Sequence, residues 1–315
     1  MTQPDMETEQ DAFLREAIAG LTGRPKTLPG KFLWDEAGSV LFDRICDSAD
    51  YYPTRAETAL LPAVSRAVAG LVGPGITVVE FGSGASRKIR TLLDALDAPA
   101  RYVAVDISRE YLEAAVRRLA RDYPGVEMIP VCADYSRPLT LPVDLSKDEV
   151  LGFFPGTSIG NFPPHETVGF LQRVRAALGP SRLLVGVDPT QDEARLARAY
   201  GGCDGLMSAL HRNVLARMNR ELGTAINLEN FRHVVRILPD PFRVEAHLVA
   251  IRAARYSLGG HVLDFEAGES IRTDHSHKHA PASLRALAEQ AGWQPEHVWL
   301  DPAGSYSLHL LRSSG

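Results

Sequence analysis

The centre of the chain alternates short apolar runs with longer amphipathic stretches. The apolar runs predict strands buried on both faces, because such strands lack polar alternation. The predicted strands are Ile76–Phe81, Tyr102–Asp106, Val126–Val131, Val150–Phe154 and Leu183–Val187, with helices at Lys88–Leu96, Glu110–Asp122 and Glu166–Leu178. This order predicts an α/β fold with a doubly wound parallel sheet, whose ligand binds at the carboxyl ends of the strands.

The two flanks of this region follow a different pattern. Further strands are predicted at Arg243–Arg252, His261–Phe265, His297–Leu300 and Ser305–Leu311. The first two indicate a separate sheet, whereas the last two indicate a return to the main sheet. The sequence therefore predicts a main domain of residues 56–191 plus 279–315. A second, smaller α+β domain is expected from residues 1–55 plus 192–278.

Composition narrows the possible partners and compartments. The 315 residues are 45% hydrophobic and 23% charged, as expected for a soluble globular protein. The net charge of −5 argues against a nucleic-acid partner. No apolar run approaches the length of a membrane span, and Met1–Glu7 lacks the basic start of a signal peptide. Three scattered cysteines form no metal motif and favour a reducing cytoplasm.

A glycine turn, Gly82-Ser83-Gly84, follows the first predicted strand. It lacks the third glycine of the dinucleotide fingerprint, which favours a compact nucleoside such as S-adenosylmethionine (SAM). Asp106 ends the next strand, where a carboxylate can accept ribose hydroxyls or cap the following helix. Asp134 follows the third strand and can accept from an adenine amino group or cap a turn. An ordinary tight turn is the alternative interpretation of the glycines.

Two further segments carry candidate chemistry. The loop Phe154–Phe162 contains two glycines and Asn161, whose amide can both donate and accept; a satisfied turn is the alternative. In a strand, the side chains at positions 275, 277 and 279, all histidines, would share one face, as in some metal sites. We favour instead a solvated polar loop, or Asp274 and Ser276 facing a substrate from the opposite face. No metal is expected.

Together these residues resemble the SAM-dependent histidine Nα-methyltransferases, which make hercynine for ergothioneine biosynthesis. The resemblance covers about residues 20–312, and its most specific block is Asp50-Tyr51-Tyr52-Pro53-Thr54-Arg55. The other blocks are Lys31–Ser39, Glu80–Gly84, Ser158–Asn161, Asn213–Leu215, Asn219–Leu222, and Gly268-Glu269 ahead of Ser276 and Lys278.

The resemblance implies a Rossmann-like class I methyltransferase sheet with a smaller substrate domain. The implied cofactor residues are Gly82, Gly84, Lys88, Asp106, Asp134 and Tyr135. The implied catalytic residues are Tyr51, beside the substrate amine, and Asn161 with Tyr200, which hold the substrate carboxylate. Phe42 and Gly156 would line the same site, and Asp274 and Ser276 would bind the imidazole. We expect a cytoplasmic monomer that transfers methyl groups from SAM to the neutral α-amine of L-histidine and forms the trimethylated betaine hercynine.

Three departures from the family pattern concern the substrate side chain. Asp274 is shorter than the usual Glu, Trp34 replaces a Tyr, and Ala246 replaces a Met. Methylation of a different amino acid or small amine therefore stays open. A NAD-linked oxidoreductase and a non-catalytic SAM-binding protein are remote alternatives.

Overall fold

The computed structural model describes residues 8–84 and 86–314. Met1–Glu7, where no signal peptide is predicted, and Ala85, beside the glycine turn, lie outside the described residues. The α-helices in these ranges are α1 (Glu9–Thr22), α2 (Glu36–Asp47), α3 (Tyr52–Ala69), α4 (Arg87–Leu93), α5 (Arg109–Asp122), α6 (Pro164–Leu178), α7 (Glu193–Gly201), α8 (Leu206–Leu222) and α9 (Pro281–Gln290). None of the helices in the described ranges combines the length and apolarity needed to cross a membrane.

The strands of the same ranges are numbered in chain order. They are β1 (Lys26–Thr27), β2 (Thr77–Phe81), β3 (Arg101–Asp106), β4 (Glu127–Cys132), β5 (Val150–Phe154), β6 (Ser181–Val187), β7 (Phe231–Pro239), β8 (Phe242–Ala250), β9 (Ala254–Leu258), β10 (His261–Phe265), β11 (Ser270–His277), β12 (Gln294–Leu300) and β13 (Ser307–Ser313).

The chain divides into two compact units. The first unit comprises the residues up to Asp50 together with Glu193–His275, and the second comprises Tyr51–Asp192 together with the residues from Ser276 onward. Tyr51, which the sequence analysis placed in the smaller domain, thus begins the larger unit. It precedes α3, whose buried face packs with the main core.

The second unit is built on a seven-stranded sheet in the order β12-β13-β6-β5-β2-β3-β4. Strands β2 to β6 pair in parallel, and β13 and β12 add antiparallel strands at one side. The α/β fold and the two returning strands are confirmed. Strand order reverses between β2 and β5, so their carboxyl ends form the crevice in which such sheets bind ligands.

Helices cover both faces of this sheet. Along β2, Val78 belongs to one apolar cluster and Val79 to the other, because successive side chains point to opposite faces. Helices α3 to α5 contribute to the first cluster, and α6 and α9 contribute to the second. This two-sided burial holds for β2, β3, β5 and β6 and explains why these strands appear as continuous apolar runs in the sequence. The expectation that Val126–Val131 is buried on both faces is wrong, because β4 lies at the edge of the sheet and is only partly buried.

The first unit contains a four-stranded sheet, in the order β1-β11-β8-β7, and the hairpin β9-β10. The predicted strands at Arg243–Arg252 and His261–Phe265 correspond to β8 and β10. The expectation of a solvated loop at Asp274–His279 is wrong, because β11 runs to His277, and His277 and His279 are both buried. The polar residues of β11 interrupt the alternation of apolar and polar positions from which a strand is normally predicted.

Asp35 connects three family blocks within the first unit. Its Oδ1 caps α2 by accepting from the Gly38 amide at 2.8 Å, and it also accepts from Asn213 Nδ2 at 2.7 Å. Its Oδ2 accepts from Arg220 Nη2 at 2.7 Å. A Cβ at Gly38 would lie 1.7 Å from the Leu33 carbonyl oxygen, so only glycine fits there. These blocks therefore join α2 to α8.

Candidate active site

The glycine turn lies at the carboxyl end of β2 and is held by Asp106, at the end of β3. Asp106 Oδ2 accepts from the Gly84 amide at 2.9 Å, and Oδ1 accepts from the Ser108 amide at 3.0 Å. Gly82 and Gly84 have φ of +72° and +48°, a region that favours glycine. A Cβ at Gly84 would meet no atom within 4 Å, so the space beside the turn is open.

The aromatic ring of Tyr135 lies over this turn. A Cβ at Gly82 would be 3.4 Å from the Tyr135 hydroxyl, and the ring packs edge-on against Phe154 with centroids 5.6 Å apart. Burial is the main cause that raises the pKa of Tyr135 above its usual value. Asp134 Oδ1 accepts from the Ser136 amide at 2.9 Å. Asp134 thus caps a turn beside the ring, and its role toward adenine stays a prediction.

Glu57, on α3, links two of the sequence-predicted site residues. Its carboxylate is fully buried, accepts from the Gly156 amide at 2.8 Å and forms an ion pair with Lys88. The Gly156 carbonyl accepts from the Tyr306 hydroxyl at 2.8 Å. No sequence motif marks Glu57 or Tyr306, and only the family block just before Glu57 points to that helix. Both polar backbone groups of Gly156 are fixed by buried side chains.

Asn161 ends the 3-10 turn Ser158–Asn161, which follows β5. The preceding Gly160 packs closely against the end of β11. A Cβ at Gly160 would lie 2.5 Å from the His277 carbonyl oxygen and 3.2 Å from Ser276 Oγ. Only glycine permits this approach. The structure therefore brings the Asn161 turn and Ser276 together, although 115 positions separate the two residues in the sequence.

A buried polar network lies at the carboxyl end of β6. Asp188 Oδ2 accepts from the Tyr52 hydroxyl at 2.5 Å and from Lys278 Nζ at 2.8 Å. Tyr52 is the second tyrosine of the most specific family block, and its neighbour Tyr51 is 5% exposed. Tyr51 directly precedes α3. Neither Asp188 nor Tyr52 has a role predicted from the sequence.

The remaining predicted substrate residues belong to the first unit. Phe42, on α2, packs edge-on against Trp34 with ring centroids 5.1 Å apart. Tyr200 lies near the end of α7 and is partly buried. Asp274, on β11, accepts from the His275 amide at 2.8 Å, and a Cβ at Gly30 would lie 2.9 Å from its Oδ1.

Two other positions from the sequence analysis bear on specificity and metals. Ala246 is 5% exposed on β8, so the departure at this position is internal to the unit. His279 is buried, and burial lowers its pKa to about 4. Among residues 8–84 and 86–314, no three His, Cys, Asp or Glu side chains are arranged to hold a metal ion.

These features together are the arrangement with which α/β enzymes bind a nucleoside cofactor: a parallel sheet, a glycine turn, an acidic residue at the next strand end and a second loop at the strand-order switch. A sequence profile described as "Histidine-specific methyltransferase, SAM-dependent" matches residues 13–313. The chain belongs to this family, as its motifs predict. Its methyl donor is SAM, so the NAD-linked and non-catalytic alternatives are set aside.

Curated relatives agree with this family. The chain is 38% identical over 313 residues to the Histidine N-alpha-methyltransferase of Mycolicibacterium smegmatis, with 96% of each chain covered. It is 39% identical over 306 residues to that of Mycobacterium tuberculosis, covering 95% of this chain and 94% of the other. It is also 28% identical over 308 residues to N-methyltransferase fsqC of Aspergillus fumigatus, covering 95% and 83%.

Proposed function

We propose that the protein transfers methyl groups from SAM to the α-amine of L-histidine and forms the trimethylated betaine hercynine, as in ergothioneine biosynthesis. The family match over residues 13–313 supports this activity. The structural observation that carries it is the packing of Ser276 against Gly160, beside Asn161. Asn161 and Ser276, which we assign to the substrate by resemblance, lie near each other, and Asn161 follows a strand of the sheet that holds the glycine turn.

The residues at this edge fit a bound SAM. The open glycine turn allows close approach of a ligand to the backbone, and Asp106 lies where ribose hydroxyls are accepted in such folds. We assign adenine to Asp134 and Tyr135, and the amino-acid end to the region of Lys88. Bound SAM supplies an electrophilic methyl group on a sulfonium, so the protein needs no additional activation of the donor.

The protein's contribution is to hold the amine in line with that methyl group. We assign the substrate carboxylate to Asn161 and Tyr200 and the amine to Tyr51, with Phe42 and Gly156 lining the site. Before each transfer the substrate ammonium would lose one proton to solvent, so that the nitrogen presents a lone pair. The N–C bond would then form as the C–S bond of SAM breaks, with S-adenosylhomocysteine as the leaving group. Such positioning can supply roughly 7–11 kcal/mol of the barrier. Tyr51 can also favour a methylated ammonium by cation–π contact.

A panel assay tests this proposal. The protein is incubated with SAM and each of the twenty amino acids, and methylated products are followed by mass, with SAM-free reactions as controls. We expect up to three methyl groups on histidine and none on the others. A product from another amino acid alone would reject histidine as the substrate, in line with the departures at Trp34, Ala246 and Asp274. It would still support methyl transfer from SAM to an amino acid. No product from any of them would reject the proposal.

The proposal further includes a cytoplasmic monomer that takes a small-molecule substrate and no nucleic acid. The acidic net charge of −5 and the scattered cysteines support these assignments. Light scattering on the purified protein gives its mass in solution, and 34.4 kDa is expected.

A further inference from the structure

Lys278 holds the hydroxyl group of Ser276. Lys278 Nζ donates to Ser276 Oγ at 2.9 Å, and both residues are buried, with exposures of 5% and 4%. The side chain of Lys278 has no exposed surface at all. The ammonium has three donors and no acceptor, so the serine oxygen accepts in this bond.

The ammonium is itself held in place by Asp188. Lys278 Nζ lies 2.8 Å from Asp188 Oδ2, and the aspartate side chain is 1% exposed. The Tyr52 hydroxyl donates to the same oxygen at 2.5 Å, and the Thr190 amide donates to Oδ1 at 2.9 Å. Three donors, from Lys278, Tyr52 and Thr190, thus converge on the Asp188 carboxylate. Because desolvation offsets much of the attraction in a buried ion pair, the pair is weak evidence for stability alone.

We propose that Lys278 is a positioning residue that determines specificity: it makes Ser276 a hydrogen-bond donor to the substrate ring. This inference rests on the proposed function, in which Ser276 binds the imidazole. A hydroxyl oxygen that accepts from a cation has one acceptor position filled, and its O–H becomes a stronger donor. Ser276 then favours the ring nitrogen that carries a lone pair, which selects the tautomer in which that nitrogen has no proton.

A double-mutant cycle tests this role. We expect S276A to lower kcat/KM for histidine about tenfold, since one hydrogen bond to the substrate is lost. K278M should cause a similar loss, mainly through KM. In the S276A protein, adding K278M should change kcat/KM by less than about threefold, because Lys278 acts through the hydroxyl that is already absent.

Two comparisons separate this role from a structural one. K147M removes an exposed lysine and should leave kcat/KM for histidine unchanged. If K278M alone fails to fold, D188N/K278M is compared with D188N. This pair measures the effect of removing Lys278 without an unpaired buried carboxylate. An equal K278M effect with and without the Ser276 hydroxyl would overturn the proposal. A wild-type protein that does not methylate histidine would instead reject the proposed function.

Discussion

Glu57 and Gly156 are joined by a hydrogen bond of 2.8 Å between a fully buried carboxylate and a backbone amide. The same carboxylate pairs with Lys88, on the helix that follows the glycine turn. One side chain thus connects a residue assigned to the cofactor with the loop that leads to Asn161. A carboxylate suits this position because it can accept from both groups at once.

We predict that E57Q weakens SAM binding. Glutamine keeps the shape of the side chain, but its neutral amide no longer balances the charge of Lys88, and a buried charge without its partner is costly. The expected loss in SAM affinity is about tenfold or more, as for charge-assisted hydrogen bonds. Isothermal titration with SAM measures it.

E289Q is the matched control for this change. Glu289 pairs with Arg285 within α9, but its side chain is 53% exposed, so the pair contributes little. E289Q should bind SAM as the unmodified protein does. Equal affinities of E57Q and E289Q would show that the Glu57 contact does not support the cofactor site.

Asp106 should matter for both the turn and the cofactor. D106N retains the size of the side chain but weakens the two bonds from Gly84 and Ser108, and it weakens acceptance of ribose hydroxyls. We expect SAM affinity to fall at least about tenfold. D144N makes the same change in an exposed turn, where Asp144 Oδ1 accepts from the Ser146 amide at 2.9 Å. Isothermal titration of both variants with SAM measures the two affinities. Equal SAM affinities of D106N and D144N would contradict the assignment of Asp106 to the cofactor.

Asn161 is predicted to act on the amino-acid substrate and not on SAM. N161A removes the amide that we assign to the substrate carboxylate, so KM for histidine should rise and kcat should fall, about tenfold or more in kcat/KM. The Kd for SAM should stay within about twofold. Steady-state kinetics with titration measures both, and an unchanged kcat/KM would remove Asn161 from the site.

The central strands of the main sheet could be predicted from the sequence because they are buried on both faces. A run such as Val150–Phe154 has no polar interruption, and the glycine turn and Asp106 mark the strand ends. The smaller unit was harder to predict. In β11 the polar residues Asp274, His275 and Ser276 carry no apolar alternation, and the strand is defined by its neighbours β1 and β8.

The residues of the candidate site, too, could be predicted from the sequence only in part. Motif residues such as Lys88 and Asn161 were recognisable from the resemblance, whereas Glu57 and Asp188 have no local signature. Their importance arises from partners far away in the sequence: Gly156 is 99 positions from Glu57, and Lys278 is 90 positions from Asp188. Buried carboxylates of this kind can be identified only from the structure, in which the fold brings their partners together.

Glu80 gives a prediction about pH and stability. This residue of β2 is 1% exposed and hydrogen-bonded to Tyr102, and burial raises its pKa from 4.5 to about 8. The hydrogen bond from Tyr102 and the charge of Lys88 oppose this shift, whereas Asp106 and Glu57 add to it. Between about pH 4.5 and pH 8, Glu80 is therefore protonated in the folded protein and ionised in the unfolded chain.

The stability contributed by this proton is complete below about pH 4.5 and is lost as pH rises towards about 8. E80Q has no such proton, so the unfolding free energy of the unmodified protein should fall relative to that of E80Q, by up to about 1.4 kcal/mol per pH unit in this window. Urea unfolding at pH 5, 7 and 9 measures the difference. E113Q, at a partly exposed site on α5, serves as the control for the loss of a carboxylate. A constant difference between E80Q and the unmodified protein across the three pH values would mean that Glu80 titrates alike in the folded and unfolded chains.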